Sequence, residues 1–337
     1  MGNQESIGIL STGFYLPDQV MTSRELATVS EIPQEIIEKK MGILQKPIPG
    51  PDDHTAQMGI WAAEQAIQRA GISATKLDLV IYIGEEHKEY PLWTAGIYTQ
   101  AKLGAERAWS FDVALRCGTT VMALKLARAL MLTDNSINTV LLAGGYRNVD
   151  FINYKNPRTR FMYNLAAGGG ALILQKGRDE HQILESHIIT DGSFSEDVAV
   201  PIGGTKEPLT QETLAKGEYY LDVFDPEGMK ERLEEKSLST FVQVVQEAVR
   251  KSGYSVEEID YLGILHMKRS AHKTILERLG LREDQAIYLE EYGHIGQLDQ
   301  ILSLELAVQE GRLKQGDLVV LVSAGIGYAW AATAIRW

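Results

Sequence analysis

Cys117 is the only cysteine among 337 residues. A lone cysteine excludes an intrachain disulfide and any multi-cysteine metal site, which leaves packing or chemistry. Its neighbours point to chemistry. FDVALRCGTTVMALKLARALML reads as a strand, a turn at Arg116 and Cys117, and a helix whose first turn is GTT. A thiol at a helix N-terminus feels the positive end of the backbone dipole, which favours the nucleophilic thiolate. Arg116 adds to that field, Gly118 permits close approach of backbone and ligand, and the Cys117 N–H is available to an oxyanion.

The elements that must hold such a turn can be read from hydrophobic patterning. Continuous apolar runs at 77–84 (LDLVIYIG), 139–145 (TVLLAGG), 259–265 (IDYLGIL) and 317–325 (DLVVLVSAG) are interleaved with helical stretches at Thr120 to Leu132 and Ile301 to Glu310. Strands without polar alternation, set between helices, belong to sheets buried on both faces, so the expected class is α/β. The chain also matches itself. AEQAIQRAGISATKLDLVIYIG lies over VVQEAVRKSGYSVEEIDYLGILH with Gly71 opposite Gly253, an offset of 182, and Gly145 lies opposite Gly325 at an offset of 180. A nearly constant offset across helix, turn, strand, helix and strand is what a duplicated half leaves behind. Common α/β patterning is the alternative source of the match. With two equivalent halves, ligands bind near the carboxyl ends of equivalent strands. That brings together the Cys117 turn, the strand end at His266 and the loop containing His294.

Lys plus Arg number 33 against 45 Asp plus Glu, a formal charge of −12. Such a surface repels phosphate backbones and anionic lipids, which argues against general nucleic-acid binding. Val121 to Leu132 is the most apolar helical stretch; it carries Lys125 and Arg128 and is shorter than the roughly 20 residues a membrane span needs. The opening residues lack a basic stretch followed by a long apolar run, so a cytoplasmic location is expected. Gly203 to Tyr220 is polar and turn-rich and reads as a loop or lid over a cleft, and Arg232 to Lys236 reads as a solvated helix face. His54, His87, His181 and His187 show no ligand spacing, and no metal is expected.

Five ordered segments then resemble β-ketoacyl-acyl-carrier-protein synthase III, of the thiolase-fold superfamily. They are IGILSTGFYLPDQVMTSREL, the FDVALRCGTT turn, TDGSFSEDVAVPIGG, the ILH strand end and the closing EGRLKQGDLVVLVSAGIGYAWAATAIRW. The resemblance implies a thiolase-like α/β fold of two duplicated βαβαβ halves layered α/β/α/β/α. On this reading residues 1–178 form the half bearing the nucleophile and residues 179–337 the half bearing the histidines. It further implies a homodimeric acyltransferase of fatty acid, polyketide or secondary metabolism that condenses an acyl thioester with a malonyl-type thioester in ping-pong fashion. No tightly bound cofactor is implied; coenzyme A or acyl carrier protein presents each substrate on a phosphopantetheine arm.

The family's Cys, His and Asn map onto Cys117, His266 and, as a departure, His294, which stands in EYGHIGQLDQ where the family has Asn in G-N-x-[SA]. Related elongating synthases use two histidines, so condensation stays feasible. SAGIGYAW resembles the glycine loop whose backbone completes the oxyanion hole, with Ile326 at the donor position beside Cys117. Two further departures are Ala167 in YNLAAGGGALIL and Ile36 with Lys40 where the family tends to have Trp and Arg for coenzyme A. Lys268, Arg269 and Lys273 lie on the helix that docks the acidic carrier in the resembled family. In condensing branches that use a non-malonyl donor an acid lies near EEHKEYPLW, so Glu85, Glu86 and Glu89 become candidates for an additional acid or base, against the plainer reading of an exposed loop. Non-decarboxylating condensation, acyl transfer to an oxygen or nitrogen nucleophile, and a catalytically silent acyl-binding subunit remain the alternatives.

Overall fold

The computed structural model describes residues 5–217 and 219–337. The main sheet has nine strands: β1 (Ile7–Tyr15), β2 (Leu79–Tyr82), β3 (Trp109–Asp112), β4 (Thr139–Tyr146), β5 (Gly168–Lys176), β6 (Gln182–Thr190), β7 (Ile259–Ile264), β8 (Leu318–Gly325) and β9 (Ala329–Arg336), in spatial order β7-β8-β9-β6-β1-β5-β4-β2-β3. The first part of the chain builds β1-β5-β4-β2-β3 and the second builds β6-β9-β8-β7, joined by a single bridge, Gly8 to Gln182. Each part repeats the same senses. β2 runs parallel to β4, β4 antiparallel to β5 and β5 antiparallel to β1; β7 runs parallel to β8, β8 antiparallel to β9 and β9 antiparallel to β6.

The helices sort by how much of their circumference is apolar. Helices α3 (Thr119–Thr133) and α6 (Asp299–Gln309) lie between the two sheet parts, α3 against β6 and β9 and α6 against β1 and β7. They are covered on several sides, which is why VMALKLARALML and ILSLELA carry so little charge. Helices α1 (Thr55–Ala70) and α4 (Pro226–Lys251) cover the outer faces, and their apolar residues form one stripe each. The order from outside to outside is helix, sheet, helix, sheet, helix, the α/β layering expected from the sequence. Two shorter helices complete the set used below, α2 (Ala95–Leu103) and α5 (Arg269–Leu279).

Helix α1 approaches its sheet closely. A Cβ at Gly145 would lie 1.8 Å from the Thr55 carbonyl oxygen, and one at Gly169 2.0 Å from that of Met58. Gly145 and Gly169 therefore form a flat contact surface on which α1 rests. Arg232 and Lys236 differ from the free solvated face expected of them. Arg232 pairs with Asp197 at 2.6 Å and Lys236 with Asp191 at 2.7 Å, tying α4 to the loop after β6.

Candidate functional site

The turn after β3 carries the cysteine. Arg116 has a left-handed backbone (φ 49°), a conformation disfavoured for a residue with a Cβ, and the strain turns the chain sharply enough to set Cys117 before α3. The turn is held by Thr119, whose N–H and Oγ both donate to the Arg116 carbonyl, at 2.9 and 2.6 Å. From the other half, Ser323 Oγ donates to the Cys117 carbonyl at 2.6 Å. Gly325 packs so tightly that a Cβ there would lie 2.9 Å from the Cys117 nitrogen and 2.7 Å from Arg116 Cβ. The Cys117 turn of the first part of the chain is thus seated on the strand end of the second.

Cys117 is buried, with Sγ 3.1 Å from His294 Nε2. His294 Nδ1 lies 2.6 Å from Asp299 Oδ2, in the first turn of α6. Asp299 is wholly buried; its Oδ1 accepts the Ile295 N–H at 2.7 Å, and Oδ2 also accepts the His266 N–H at 2.8 Å. Burial works against a charge on His294, but the Asp299 carboxylate and the Cys117 sulfur outweigh it and hold the imidazole pKa well above 6.5. The result is a cysteine, histidine and aspartate in line. An oriented imidazole beside a thiol can take its proton and return it to a leaving group.

His266 is placed differently. It borders the same cavity, but its Nδ1 is 2.8 Å from Asn164 Nδ2 and its Nε2 2.9 Å from the Gly42 carbonyl. Burial dominates here and pushes its pKa down to about 4, against smaller opposing contributions from the Gly42 carbonyl and Asp299. The two imidazoles therefore differ in charge preference although both are buried.

A cavity of about 1170 Å³ opens above Cys117. One wall is apolar, built from residues such as Phe151, Phe161, Val200, Leu238 and Phe241; the other carries Glu85, Glu86, His87, Arg116 and Asn148. Ile202, Gly203 and Tyr219, from the segment read as a lid, also border it.

The three glutamates separate by position. Glu85 is buried on the cavity wall, accepts from Asn148 Nδ2 at 2.6 Å and lies 3.6 Å from Arg116; burial raises its pKa against the pull of both partners. Glu86 is exposed and pairs with Arg116. Glu89 points away from the cavity and accepts the Ala56 and Gln57 N–H groups at 2.8 and 3.2 Å, so it caps α1. The basic residues separate too. Lys40 and Lys268 border the cavity mouth, as Ile326 borders its floor, whereas Arg269 pairs with Glu290 and stacks 4.3 Å over the Tyr288 ring, and Lys273 pairs with Glu283 at 2.8 Å. His272, read as part of that basic surface, is buried at 5.0 Å from the Tyr288 ring.

Sequence reasoning missed Asp299, Asn164, Asn148 and Lys46. Lys46 is fully buried and donates to Tyr154 Oη and the Tyr163 and Leu165 carbonyls at 2.8, 2.7 and 2.6 Å, clamping the turn that presents Asn164. The usable signal was Asp299 itself, an acidic residue inside the apolar run before ILSLELA, five positions after His294.

The family pattern for 3-oxoacyl-[acyl-carrier-protein] synthase III matches residues 111–192, and that for the C-terminal part of the same synthase matches residues 249–337. The chain is 29% identical over 332 residues to the beta-ketoacyl-[acyl-carrier-protein] synthase III of Symbiobacterium thermophilum, covering 98% of each. Its fold superposes on the crystal structure of 3-oxoacyl-[acyl-carrier-protein] synthase III from Aquifex aeolicus with a TM-score of 0.84 at 23% identity, covering 98% of this chain and 100% of the other. It superposes equally well on the priming beta-ketosynthase of the R1128 polyketide pathway, with a TM-score of 0.85 at 19% identity over 100% and 97% of the two chains.

Two outcomes follow from the geometry. Asp299→Asn removes the charge that holds His294 protonatable, so the rate of thioester attack at Cys117 should fall by about 10- to 100-fold, read by rapid-quench mass spectrometry. A rate within about twofold of wild type would break the link between Asp299 and the thiol. For stability the neutral histidines decide. His266 and His272 have folded pKa values of about 4 against 6.5. The unfolded chain therefore binds protons first as pH falls, and the stability they contribute is complete above pH 6.5 and lost toward pH 4. Each accounts for about 3 kcal/mol at pH 4. Urea midpoints should show this slope, and His272→Leu should remove one share of it.

Proposed function

The chain belongs to the 3-oxoacyl-[acyl-carrier-protein] synthase III family, and from that premise we propose that Cys117, His294 and Asp299 carry its thioester chemistry. It is an acyltransferase that performs Claisen condensation. The observation that supports this assignment of residues is the unbroken line from Cys117 Sγ through His294 to Asp299 at the cavity floor.

In the first half-reaction His294 Nε2 takes the Cys117 proton and the sulfur attacks the carbonyl carbon of an acyl thioester. The oxyanion forms against the backbone N–H groups of Cys117 and Ile326. When the tetrahedral intermediate collapses, the C–S bond to the carrier breaks and the leaving thiolate takes the proton back from His294. In the second half-reaction His294 Nε2 takes up a proton from solvent, a malonyl-type thioester enters and loses carbon dioxide, and the oxygen of the resulting enolate accepts a hydrogen bond from the His294 Nε2–H. Its carbon attacks the acyl-enzyme carbonyl and the C–S bond to Cys117 breaks, releasing a β-ketoacyl thioester and the Cys117 thiolate, which takes that proton from His294 Nε2. Phosphopantetheine thioesters of coenzyme A or acyl carrier protein are the substrates on this reading, with Lys40 and Lys268 at the mouth for the anionic end of the carrier. Nothing in the cycle requires a tightly bound cofactor or a metal. Residues 1–178 and 179–337 act as the duplicated halves that supply the nucleophile and its relay.

Glu85 favours a second reading for the donor. It is the one glutamate of the three that is both buried and on the cavity wall, and burial raises its pKa, which makes the carboxylate a stronger proton acceptor. A base there would serve a donor that forms its carbanion by losing a proton instead of carbon dioxide.

Intact-protein mass spectrometry with a panel of acyl-coenzyme A and acyl-carrier thioesters should show a hydroxylamine-labile adduct that Cys117→Ala abolishes. No adduct with any donor would defeat the nucleophile assignment and favour a silent acyl-binding subunit. With malonyl thioester added, carbon dioxide release equal to product formed supports decarboxylation. Product without carbon dioxide, lost in Glu85→Gln, supports the second reading.

The homodimer is argued from the sheet edge. Among the described residues strand β3 is an unpaired edge, with Trp109 50% exposed on it and Ile97 of neighbouring α2 55% exposed. Apolar side chains along an open edge suit a second copy of this chain. Analytical ultracentrifugation should give a dimer that Trp109→Glu dissociates; a monomeric wild type would overturn this.

A further inference from the structure

Both ring nitrogens of His266 are committed within the protein. The Asn164 side-chain nitrogen, 2.8 Å from Nδ1, has hydrogens to donate and no lone pair to offer, so Nδ1 must be the acceptor. The group facing Nε2 at 2.9 Å is the Gly42 carbonyl, which can only accept, so Nε2 must carry the proton. Two unrelated partners thus select the same tautomer. Neither contact is loose. Asn164 lies in the turn clamped by Lys46, and its own carbonyl accepts the His294 N–H at 2.8 Å. Gly42 ends the helical turn Ile37–Met41 in a left-handed conformation (φ 75°), where any Cβ would lie 1.8 Å from Tyr288 Oη.

We propose that Asn164 is a positioning residue that fixes His266 as the neutral Nε2–H tautomer with that proton spent on the Gly42 carbonyl, leaving His294 as the imidazole that exchanges protons with Cys117 and the substrate. This deepens the proposed condensation and rests on it. His266 shares the cavity wall but donates into the backbone, so its part is to keep an uncharged ring beside the imidazolium of His294. A second cation there would oppose the first. The charged and titratable groups that face the His266 ring are Asp299 and His294 from the α6 side, Arg269 and His272 from α5, and Tyr288. A protonated Nδ1 would meet the Asn164 hydrogens head-on, and the lowering of its pKa by burial agrees with that.

The test is direct observation of the tautomer. Long-range ¹⁵N–¹H correlation spectra of histidine-labelled protein should show His266 with an unprotonated Nδ1 and a protonated Nε2 from pH 5.5 to 8. Asn164→Asp places an acceptor against Nδ1, so Nδ1 should gain a proton and His266 should titrate near or above the ordinary value of about 6.5. The same variant should add an ionisation to the pH profile of kcat/KM that wild type lacks, with kcat lowered at least tenfold below it. Asn164→Gln, which keeps the amide, should retain the wild-type tautomer. A wild-type spectrum with Nδ1 protonated, or an Asn164→Asp spectrum unchanged from wild type, would overturn the proposal. The wild-type spectrum decides the tautomer even if a variant fails to fold. Acyl-enzyme formation on Cys117 is read separately by mass, so its absence would remove the proposed condensation while leaving the tautomer assignment standing.

Discussion

One carboxylate holds this site together. Asp299 has no solvent exposure and accepts three hydrogen bonds, from the ring of His294 and from the backbone of Ile295 and His266. A buried carboxylate is tolerable only when donors replace its lost water, and each charge-assisted bond contributes about 1.5–3 kcal/mol. Because two of those donors belong to different loops, the requirement to satisfy Asp299 fixes how the strand end at His266 meets the loop at His294. The position of the charge in the first turn of α6 adds the favourable end of that helix's dipole. The same carboxylate then decides the chemistry of His294, since no other acid contacts that ring among the described residues.

The two histidines show how one cavity runs two environments. Both are buried, and burial alone would make each neutral. Asp299 and Cys117 reverse that for His294, whereas His266 faces an amide and a carbonyl and stays uncharged. Environments that push two like groups apart in pKa are the general mark of an acid and base assignment. Here the separation comes mainly from ring contacts, because Asp299 bonds the ring of His294 but only the main-chain N–H of His266, on whose ring it acts as a smaller opposing charge.

Much of the scaffold was legible. The continuous apolar runs became buried strands of the sheet, the least charged helical stretches became the two helices between the sheet parts, and Gly145 and Gly169 of the glycine runs became a contact surface for α1. The Cys117 turn, His266 and His294 meet around one cavity as the internal repeat implied. What stayed hidden depended on partners far along the chain. Glu85 and Glu89 are four residues apart in one loop, yet one faces the cavity and the other caps a helix begun 34 residues earlier at Thr55, and composition does not distinguish them. Arg269 and Lys273 looked like a free basic patch because Glu290 and Glu283 lie 21 and 10 residues away.

The placement of the site also couples catalysis to folding of the whole chain. Cys117 comes from the first part of the chain and His294 with Asp299 from the second, and the seam between them is polar and tight. Thr120 Oγ donates to the Gln297 carbonyl at 2.5 Å, while Gln297 Nε2 donates to the Ile83 and Gly145 carbonyls at 2.8 and 3.2 Å. These are buried bonds between the two parts of the chain, one to a turn and two to strand ends, so opening the seam would leave carbonyls unpaired in a dry interior. Since the Cys117 turn is backed by Ser323 and Gly325 and faced by His294, neither half alone could keep the sulfur and its imidazole at 3.1 Å. A partly unfolded chain therefore retains a thiol but not the imidazole and carboxylate aligned with it, and each part of the sheet serves as the mould for a loop of the other.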